Sequence, residues 1–352
     1  MRELHFVIPG DLDTLTGGYI YDKYILDGLS GRGWDVKCEL LANTFPFPRS
    51  NDLEEASQKI GKIPDGSIVI IDGLALAPLA ESVEKHSKRL VVVGLVHHPL
   101  AEETGLTVAQ KSEFEIRERR ALGACTHVIV TSSTTAATLT RDYGVPRKNI
   151  DVIEPGVGEM PISVGSGTSS LSLLCVGTLT PRKGHKVLLT ALASLRMFPW
   201  TLTCVGDLGR DKQTSVCVQN YAAKLGILNR TCFAGTLSTS KMGGVFRCTD
   251  LFVSASYYEG YGMAIAEALA SGIPVVATGV GAVPVTVPEK AGLLVPAGDS
   301  RALASALRRF FYEPRLRYRL KGGARGCRLV RRSWSTVVDC MEETLINLTK
   351  NE

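Results

Sequence analysis

Short apolar runs alternate with helix-forming stretches along almost all of this 352-residue chain, and one Gly-, Ser- and Pro-rich interval splits the alternation in two. That rhythm leaves few folds open. Parallel strands cannot be joined by tight hairpins, so each needs a crossover, and the crossover helices cover both faces of the sheet. Strands buried on both faces read as unbroken apolar runs, which are expected at residues 5–9, 34–41, 67–71, 90–96, 127–131 and 151–153. Helical stretches at 19–29, 75–86, 111–123 and 134–143 separate most of them. The interval 158–170 interrupts the pattern. Strands resume at 171–176, 201–205, 231–234, 251–254, 274–277 and 292–295. The expectation is an α/β chain of two Rossmann-like, doubly wound domains facing across a cleft, with ligands bound beyond the carboxyl ends of the strands. Residues 1–160 would form the first domain, 161–170 a linker, 171–332 the second domain and 333–352 a closing segment.

Composition removes several function classes. No apolar run approaches the roughly 18 residues of a membrane-spanning helix. Met1-Arg-Glu-Leu-His5 leads straight into a strand with no signal-peptide pattern. Nine cysteines, an odd number without a C-x-x-C pair, read as reduced and mostly buried thiols in a cytoplasm. A net charge of +5 is too mild to imply nucleic acid. The charge is unevenly spread, because residues 301–332 hold eleven Arg or Lys and one acid, Glu313. That stretch is a solvated helical face, a patch for an anionic ligand, or a peripheral contact for anionic membrane at the inner face.

The densest chemical signal is Glu259-Gly-Tyr-Gly-Met-Ala-Ile-Ala-Glu267, two carboxylates eight positions apart with two glycines between them. It falls where the strand at 251–254 gives way to an Ala-rich helix that begins at Met263 and closes at Ser271-Gly272. Gly260, Tyr261, Gly262 and Met263 therefore lie at a helix N-terminus, where unpaired amides and the helix dipole favour an anion. Glu259 is outside the helix and Glu267 about one turn inside. A carboxylate suits a sugar diol because each oxygen accepts a hydroxyl proton. One anion site between two diol acceptors matches a sugar joined to a ribose through a diphosphate.

Other loops add to this. Thr16-Gly17-Gly18 follows the first strand, and two glycines ahead of a helix let backbone amides approach an anion, although a tight turn would use them too. Pro181-Arg182-Lys183-Gly184 follows the strand at 171–176, where cations ahead of a helix suit a diphosphate. His97-His98-Pro99 ends the most apolar strand. In extended backbone the two rings point to opposite faces, so the pair chelates one metal poorly, and His97 is the better candidate to meet a substrate. Asp11-Leu12-Asp13 resembles a metal-binding D-x-D but lacks a second half, so no metal ligands are assigned. Gly279-Val-Gly281 is a fragment of a dinucleotide loop, and Pro284 and Pro288 argue against the helix that a nicotinamide site requires.

These pieces, in this order, resemble the retaining glycosyltransferases of family 4, which have the GT-B fold. The likeness runs through Gly17-Gly18, Ile153-Glu-Pro-Gly-Val157, Val176-Gly-Thr-Leu-Thr-Pro-Arg-Lys-Gly184, Val205-Gly-Asp207 and Phe233-Ala-Gly235. It continues through Asp250-Leu-Phe-Val-Ser-Ala-Ser256, the Glu259 to Glu267 segment and the stretch from Ala268 to Val276. Gly292-Leu-Leu-Val-Pro-Ala-Gly-Asp299 and Ser333-Trp334-Ser335 complete it. It is dense in the second half and thin in the first. The resemblance implies that Glu259 touches the donor sugar and Glu267 the ribose. It implies that Lys183 holds the diphosphate, aided by the amides of Tyr261 to Met263, and that His97 sits near the reacting carbon. The helix expected at 337–348 would cross back onto the first domain. Two positions depart from the family pattern: Thr178 stands where an Arg is usual, so that either Arg182 substitutes for it or the site is weaker or tuned to another donor, and Val285 stands where a Glu is common.

The expected activity is hexosyl transfer with retention, from a nucleotide-sugar donor to a hydroxyl acceptor, with no metal and no other cofactor. A nucleotide-sugar epimerase or hydrolase of the same fold, and a sugar-nucleotide-binding protein without catalysis, are the alternative readings. Neither the base, the sugar nor the acceptor is legible, although the loop at 100–106 after His98 is placed to shape an acceptor pocket.

Overall fold

In the computed structural model, which describes residues 2–328 and 331–350, the apolar runs form two parallel six-stranded sheets. Positions 329–330 of the basic stretch, residue 1 and residues 351–352 of the closing segment lie outside the described residues. Two units separate by contacts: Met1–Thr14, Gly18–Gly156 and Trp334–Glu352 make the first, Leu15–Gly17 and Val157–Ser333 the second.

The first unit contains β1 (Glu3–Pro9), β2 (Asp35–Leu41), β3 (Ile68–Asp72), β4 (Val91–Val96), β5 (His127–Val130) and β6 (Ile150–Val152), in the order β2-β1-β3-β4-β5-β6. Alternate residues feed opposite cores, as the two-residue period of a strand dictates. Leu4, Phe6, Ile8, Ile68, Ile70, Val91 and Val93 lie in one core, and Val7, Val69, Ile71 and Val92 in the other. The first core is covered by α1 (Gly17–Ser30) through Tyr21, Ile25 and Leu29. The second is covered by α2 (Ser50–Gly61), α3 (Gly73–Leu76), α4 (Ala80–His86), α5 (Val108–Ala124) and α6 (Ser133–Asp142).

The second unit contains β7 (Leu171–Val176), β8 (Trp200–Val205), β9 (Thr231–Gly235), β10 (Leu251–Ser254), β11 (Val275–Thr278) and β12 (Gly292–Val295), ordered β12-β11-β10-β7-β8-β9. Counted within the unit this is the dinucleotide-binding order, which reverses between its first and fourth strands, β7 and β10. Its helices are α7 (His185–Ala193), α8 (Lys212–Lys224), α9 (Thr239–Arg247), α10 (Met263–Ala270), α11 (Val283–Thr286), α12 (Ser300–Tyr312) and α13 (Pro314–Cys327). The last helix, α14 (Trp334–Lys350), belongs to the first unit. Val337, Val338, Met341 and Leu345, one face at helical spacing, enter the core that α1 covers. Gly28 of α1 makes room for them: a Cβ there would stand 2.4 Å from Val338 Cγ2. Trp334 stacks on Tyr24 with ring centroids 4.1 Å apart, and Trp34 Nε1 donates to Glu342 at 3.0 Å.

Strand expectations hold to within about a residue or two, and four local expectations change. The helix expected at 75–86 is broken into α3 and α4 around Pro78, whose ring nitrogen has no proton to donate to the preceding turn. Helix α2 was not expected, because Ala56 and Ile60 are the only hydrophobic residues on its buried face, shared with Asp52. Gly17 and Gly18 open α1 rather than precede it. Pro284 occupies the first turn of α11, whose 4 residues fall short of the crossover helix that a nicotinamide site requires. The cysteines are not mostly buried either. All nine are free, with Cys38, Cys217, Cys232 and Cys248 exposed and only Cys175, Cys204 and Cys327 buried. No described helix is long and apolar enough to cross a membrane.

The Gly- and Ser-rich interval is not a loose tether. Ser163 N–H donates to Ser271 O at 2.8 Å, Ser163 Oγ to Thr249 O at 2.6 Å, and Val164 N–H to Arg247 O at 2.9 Å. The Asp250 carboxylate accepts from Ser166 and Ser172 amides at 3.2 and 3.0 Å. A segment poor in apolar side chains thus has its backbone groups met by the second unit.

Candidate active site

Lys183 and Glu259 come from loops that leave the carboxyl ends of β7 and β10, the neighbouring strands at which the second sheet reverses its order. After β7 the chain makes a single tight turn, Pro181–Lys183, and enters α7 at Gly184. Gly184 is left-handed, at φ 63°, and a Cβ on it would lie 2.0 Å from Ala255 O, so only glycine lets this turn seat against the loop after β10. Two bonds staple the loops together: Tyr257 N–H to Arg182 O at 2.7 Å, and Arg182 Nη1 to Tyr258 O at 2.8 Å.

The staple delivers two cations to one carboxylate. Lys183 Nζ donates to Glu259 Oε1 at 2.6 Å, Ser256 Oγ donates to the same oxygen at 2.7 Å, and Arg182 Nη1 stands 3.9 Å from Oε2. Burial would raise the Glu259 pKa, but Lys183, Arg182 and Ser256 together outweigh it and hold the group below the usual carboxylate range. Glu259 is therefore a buried anion whose charge is fixed by its neighbours.

Three residues on, Gly262 (φ 86°) opens α10 with no side chain capping it. The first-turn amides beginning at Met263 thus form a donor cluster beside Gly260 and Tyr261. Thr286 Oγ1 donates to Tyr261 O at 3.0 Å and holds this turn from behind. Glu267, one turn inside α10, makes no side-chain hydrogen bond or ion pair with the described residues and is half-buried. Burial pushes its pKa up to about 7. The two carboxylates that look alike in the sequence are opposite in charge behaviour.

In the first unit His97, just past β4, turns Nε2 toward two buried carboxylates, Asp22 Oδ1 at 3.1 Å and Asp72 Oδ2 at 3.5 Å. Asp22 is on α1 and Asp72 ends β3; they are 1% and 2% exposed. Burial alone would lower the His97 pKa, but Asp22 and Asp72 outweigh it and favour the protonated ring well above the usual imidazole range. Burial in turn pushes Asp22 above the usual carboxylate range, against the pull of His97. Gly18 lies against the ring, where a Cβ would come 3.3 Å from His97 Cδ2. His98 faces elsewhere and bonds Glu103 at 3.0 Å.

Asp22 and Asp72 were not anticipated. Asp22 does carry a signal, an acid on the same helical face as Ile25, Leu26 and Leu29. Asp72 has a local explanation as the cap of α3, with Oδ1 accepting from Leu74 N–H at 2.9 Å, and that hides its second partner. Asp22, Asp72 and His97 are also the one group of described residues whose ligand atoms converge closely enough, within 4.8 Å, for a metal ion. In the D-x-D segment Asp11 accepts from the Asp13 amide at 2.9 Å and Asp13 pairs with Lys23 at 2.5 Å. Thr178 and Val285 make no side-chain hydrogen bond with the described residues, and Val285 is 63% exposed.

A family model described as "Glycosyl transferases group 1" matches residues 160–326, and one described as "Glycosyltransferase Family 4" matches residues 68–158. A D-inositol 3-phosphate glycosyltransferase of Saccharomonospora viridis is 30% identical over 274 residues, which cover 71% of this chain and 63% of that protein. The chain spans 54% to 63% of the length of the first curated relatives it matches. Among solved structures, a sucrose-phosphate synthase from Thermosynechococcus elongatus superposes with a TM-score of 0.85 at 19% identity, covering 100% of both chains. Anabaena Alr3699/HepE in complex with UDP and glucose gives 0.77 at 18% identity, covering 99% of this chain and 100% of that one. These likenesses agree with the expected GT-B class of two Rossmann-like domains. The two family models, both of glycosyltransferases, together take in most of the chain's length and bear out its resemblance to family 4.

Proposed function

We propose that this protein is a retaining, hexosyl-type glycosyltransferase that moves a sugar from a nucleotide-sugar donor to a hydroxyl acceptor without a metal at the diphosphate. The observation that carries the reading is the pairing of Lys183 and Arg182 on Glu259 beside the uncapped start of α10. A lysine ammonium has three donors and Glu259 takes one, so two remain for phosphate oxygens. Glu259 Oε1 is saturated by Lys183 and Ser256, while among the described residues Oε2 meets only Arg182, at 3.9 Å, and keeps capacity for a sugar hydroxyl. Glu267 supplies the acceptor pair for the ribose.

Charge develops on the departing diphosphate, and cations and amides already fixed in place stabilise it without reorganising. Gly17, Gly18 and Gly260 let backbone approach the donor, and His97 stands near the reacting carbon. Retention and the roles of Glu259 and His97 rest on the family resemblance. Anabaena Alr3699/HepE has been solved with UDP-glucose, which places UDP-sugars first among donors to test.

The test is a thermal-shift screen of UDP-, GDP- and ADP-sugars, followed by turnover with hydroxyl acceptors. A ligand that binds only the folded state raises Tm. One donor class is expected to raise it and to yield a glycoside of unchanged anomeric configuration. An inverted product would remove retention, and release of free sugar with no acceptor product would favour the hydrolase reading. The proposal extends to a peripheral contact through α12 and α13, whose exposed side includes Arg301, Arg308, Arg315 and Arg319 with Tyr312 and Tyr318, 77% and 85% exposed. Equal sedimentation with anionic and neutral vesicles would end that part of it.

A further inference from the structure

His97 is held in a way its sequence neighbourhood does not explain. Asp22 projects from the buried face of α1, among Ile25, Leu26 and Leu29, where an unpaired carboxylate would be costly. Asp72 caps α3 with Oδ1 and has Oδ2 left for a second partner. Both converge on one nitrogen. The ring is also fixed sideways, because Tyr21 meets it edge-on at 5.4 Å and 81° and Gly18 lies against Cδ2. From the end of β5, Thr131 Oγ1 donates to His97 O at 3.2 Å. Nδ1 has no hydrogen-bond partner among the described residues, and the side chain retains 20% exposure.

We infer that Asp22 and Asp72 are positioning residues, which hold His97 by Nε2–H and leave Nδ1–H as a fixed, charged donor to a substrate hydroxyl, so that the ring does not serve as a general base. A single carboxylate would restrain the ring along one direction. Two, carried by separate elements, α1 and β3, restrain its rotation as well. A base at Nδ1 would have to be unprotonated, and the paired negative charges oppose that state. The titratable groups that face the ring are Asp22, Asp72 and the Tyr21 phenol, and both acids act in the same sense. The inference rests on the proposed place of His97 beside the reacting carbon.

The decisive comparison is Asp22→Asn against His97→Ala in the full-length protein. Asp22→Asn is expected to lower kcat by roughly ten- to a hundredfold, the scale of one charge-assisted hydrogen bond, with donor KM unchanged. It should also introduce an alkaline fall in rate that the parent lacks, because the ring then loses its proton at lower pH. Asp72→Asn should act in the same direction and more weakly. Nitrogen-detected NMR of labelled histidine should show both His97 nitrogens protonated at pH 8 in the parent. A parent His97 that titrates near the ordinary value of about 6.5 would overturn the inference even if no Asp22 variant folds. Asp22→Asn with parental kcat and pH profile, beside an inactive His97→Ala, would overturn the positioning role alone. An active His97→Ala would instead remove His97 from the proposed reaction. Activity lost to a chelator and restored by a divalent ion would also overturn it, assigning the three side chains to a metal.

Discussion

In the first unit two carboxylates, Asp22 and Asp72, hold one imidazole; in the second two cations, Lys183 and Arg182, hold one carboxylate. Both clusters stand where the strand order of their sheet reverses, between β1 and β3 with β4 beside them, and between β7 and β10. The architecture is shared and the polarity is inverted. In each case an ionisable group, buried in Glu259 and largely buried in His97, is kept charged by a pair of opposite neighbours, which is how a low-dielectric site keeps a charge in place. The surplus sign then selects the partner. Two cations and a helix N-terminus around one acid favour an anion such as a diphosphate. Two acids behind one imidazolium leave a single aimed donor, suited to a hydroxyl.

The largest break in this comparison is Lys183→Ala. It removes one of the two cations and should lower turnover by about 100- to 1000-fold, as for the loss of a fixed donor to a developing oxyanion. Initial rates on protein with unchanged circular dichroism would check it, and near-parental rates would remove Lys183 from the diphosphate.

Glu267 sharpens the contrast, since it is a half-buried acid that meets no cation among the described residues. Its native pKa of about 7 lies above that of an unfolded glutamate, so the folded state binds the extra proton. That contribution to stability is complete below the unfolded value and is lost as pH rises toward 7. Glu267→Gln should therefore match the parent Tm near pH 4 and exceed it at pH 8. With Glu267 in the proposed role of ribose acceptor, donor affinity in the parent should weaken as pH falls below about 7, where its carboxylate becomes protonated. A flat binding profile from pH 5.5 to 8 would argue against that role.

Gly28→Ala probes the scaffold beneath the first cluster, with a smaller effect. The added methyl meets Val338 at 2.4 Å and forces α14 away from the helix that carries Asp22. Overpacking of this kind costs about 1–3 kcal/mol. That corresponds to roughly 2–4 °C in Tm for each kcal/mol. If α1 is set by the sheet rather than by α14, kcat will persist while Tm falls. A matched loss of kcat would show that α14 also orients Asp22.

Legibility followed burial and locality. β3, β4 and β10 were legible because strands covered on both faces leave unbroken apolar runs, and the position of α10 followed from its alanines and its Gly-flanked ends. Helix α2 was not, since Arg49 and Thr44 meet its buried Asp52 and an acid on the buried face breaks up the apolar spacing of Leu53, Ala56 and Ile60. Lys183, Arg182 and Glu259 each sit in a loop with its own local signature. The His97 cluster joins residues 22, 72 and 97 through sheet order alone, and no spacing in the chain announces it. The contrast between Glu259 and Glu267 was equally hidden, because it depends on what each carboxylate meets and not on where it falls in the motif.

The position of α14 has a consequence for how the protein is made. The second unit is almost one continuous stretch of chain and can complete its core as it emerges from the ribosome. The first cannot, because Val337, Val338, Met341 and Leu345 are synthesised some 180–190 residues after the first unit's main segment ends at Gly156. At about 5–20 residues per second that is a delay of roughly 10–40 s. During this interval Gly28 and the apolar face of α1 lie open beside Asp22. The first domain is thus begun first and finished last, and its unsealed face is the natural target for a chaperone or for aggregation.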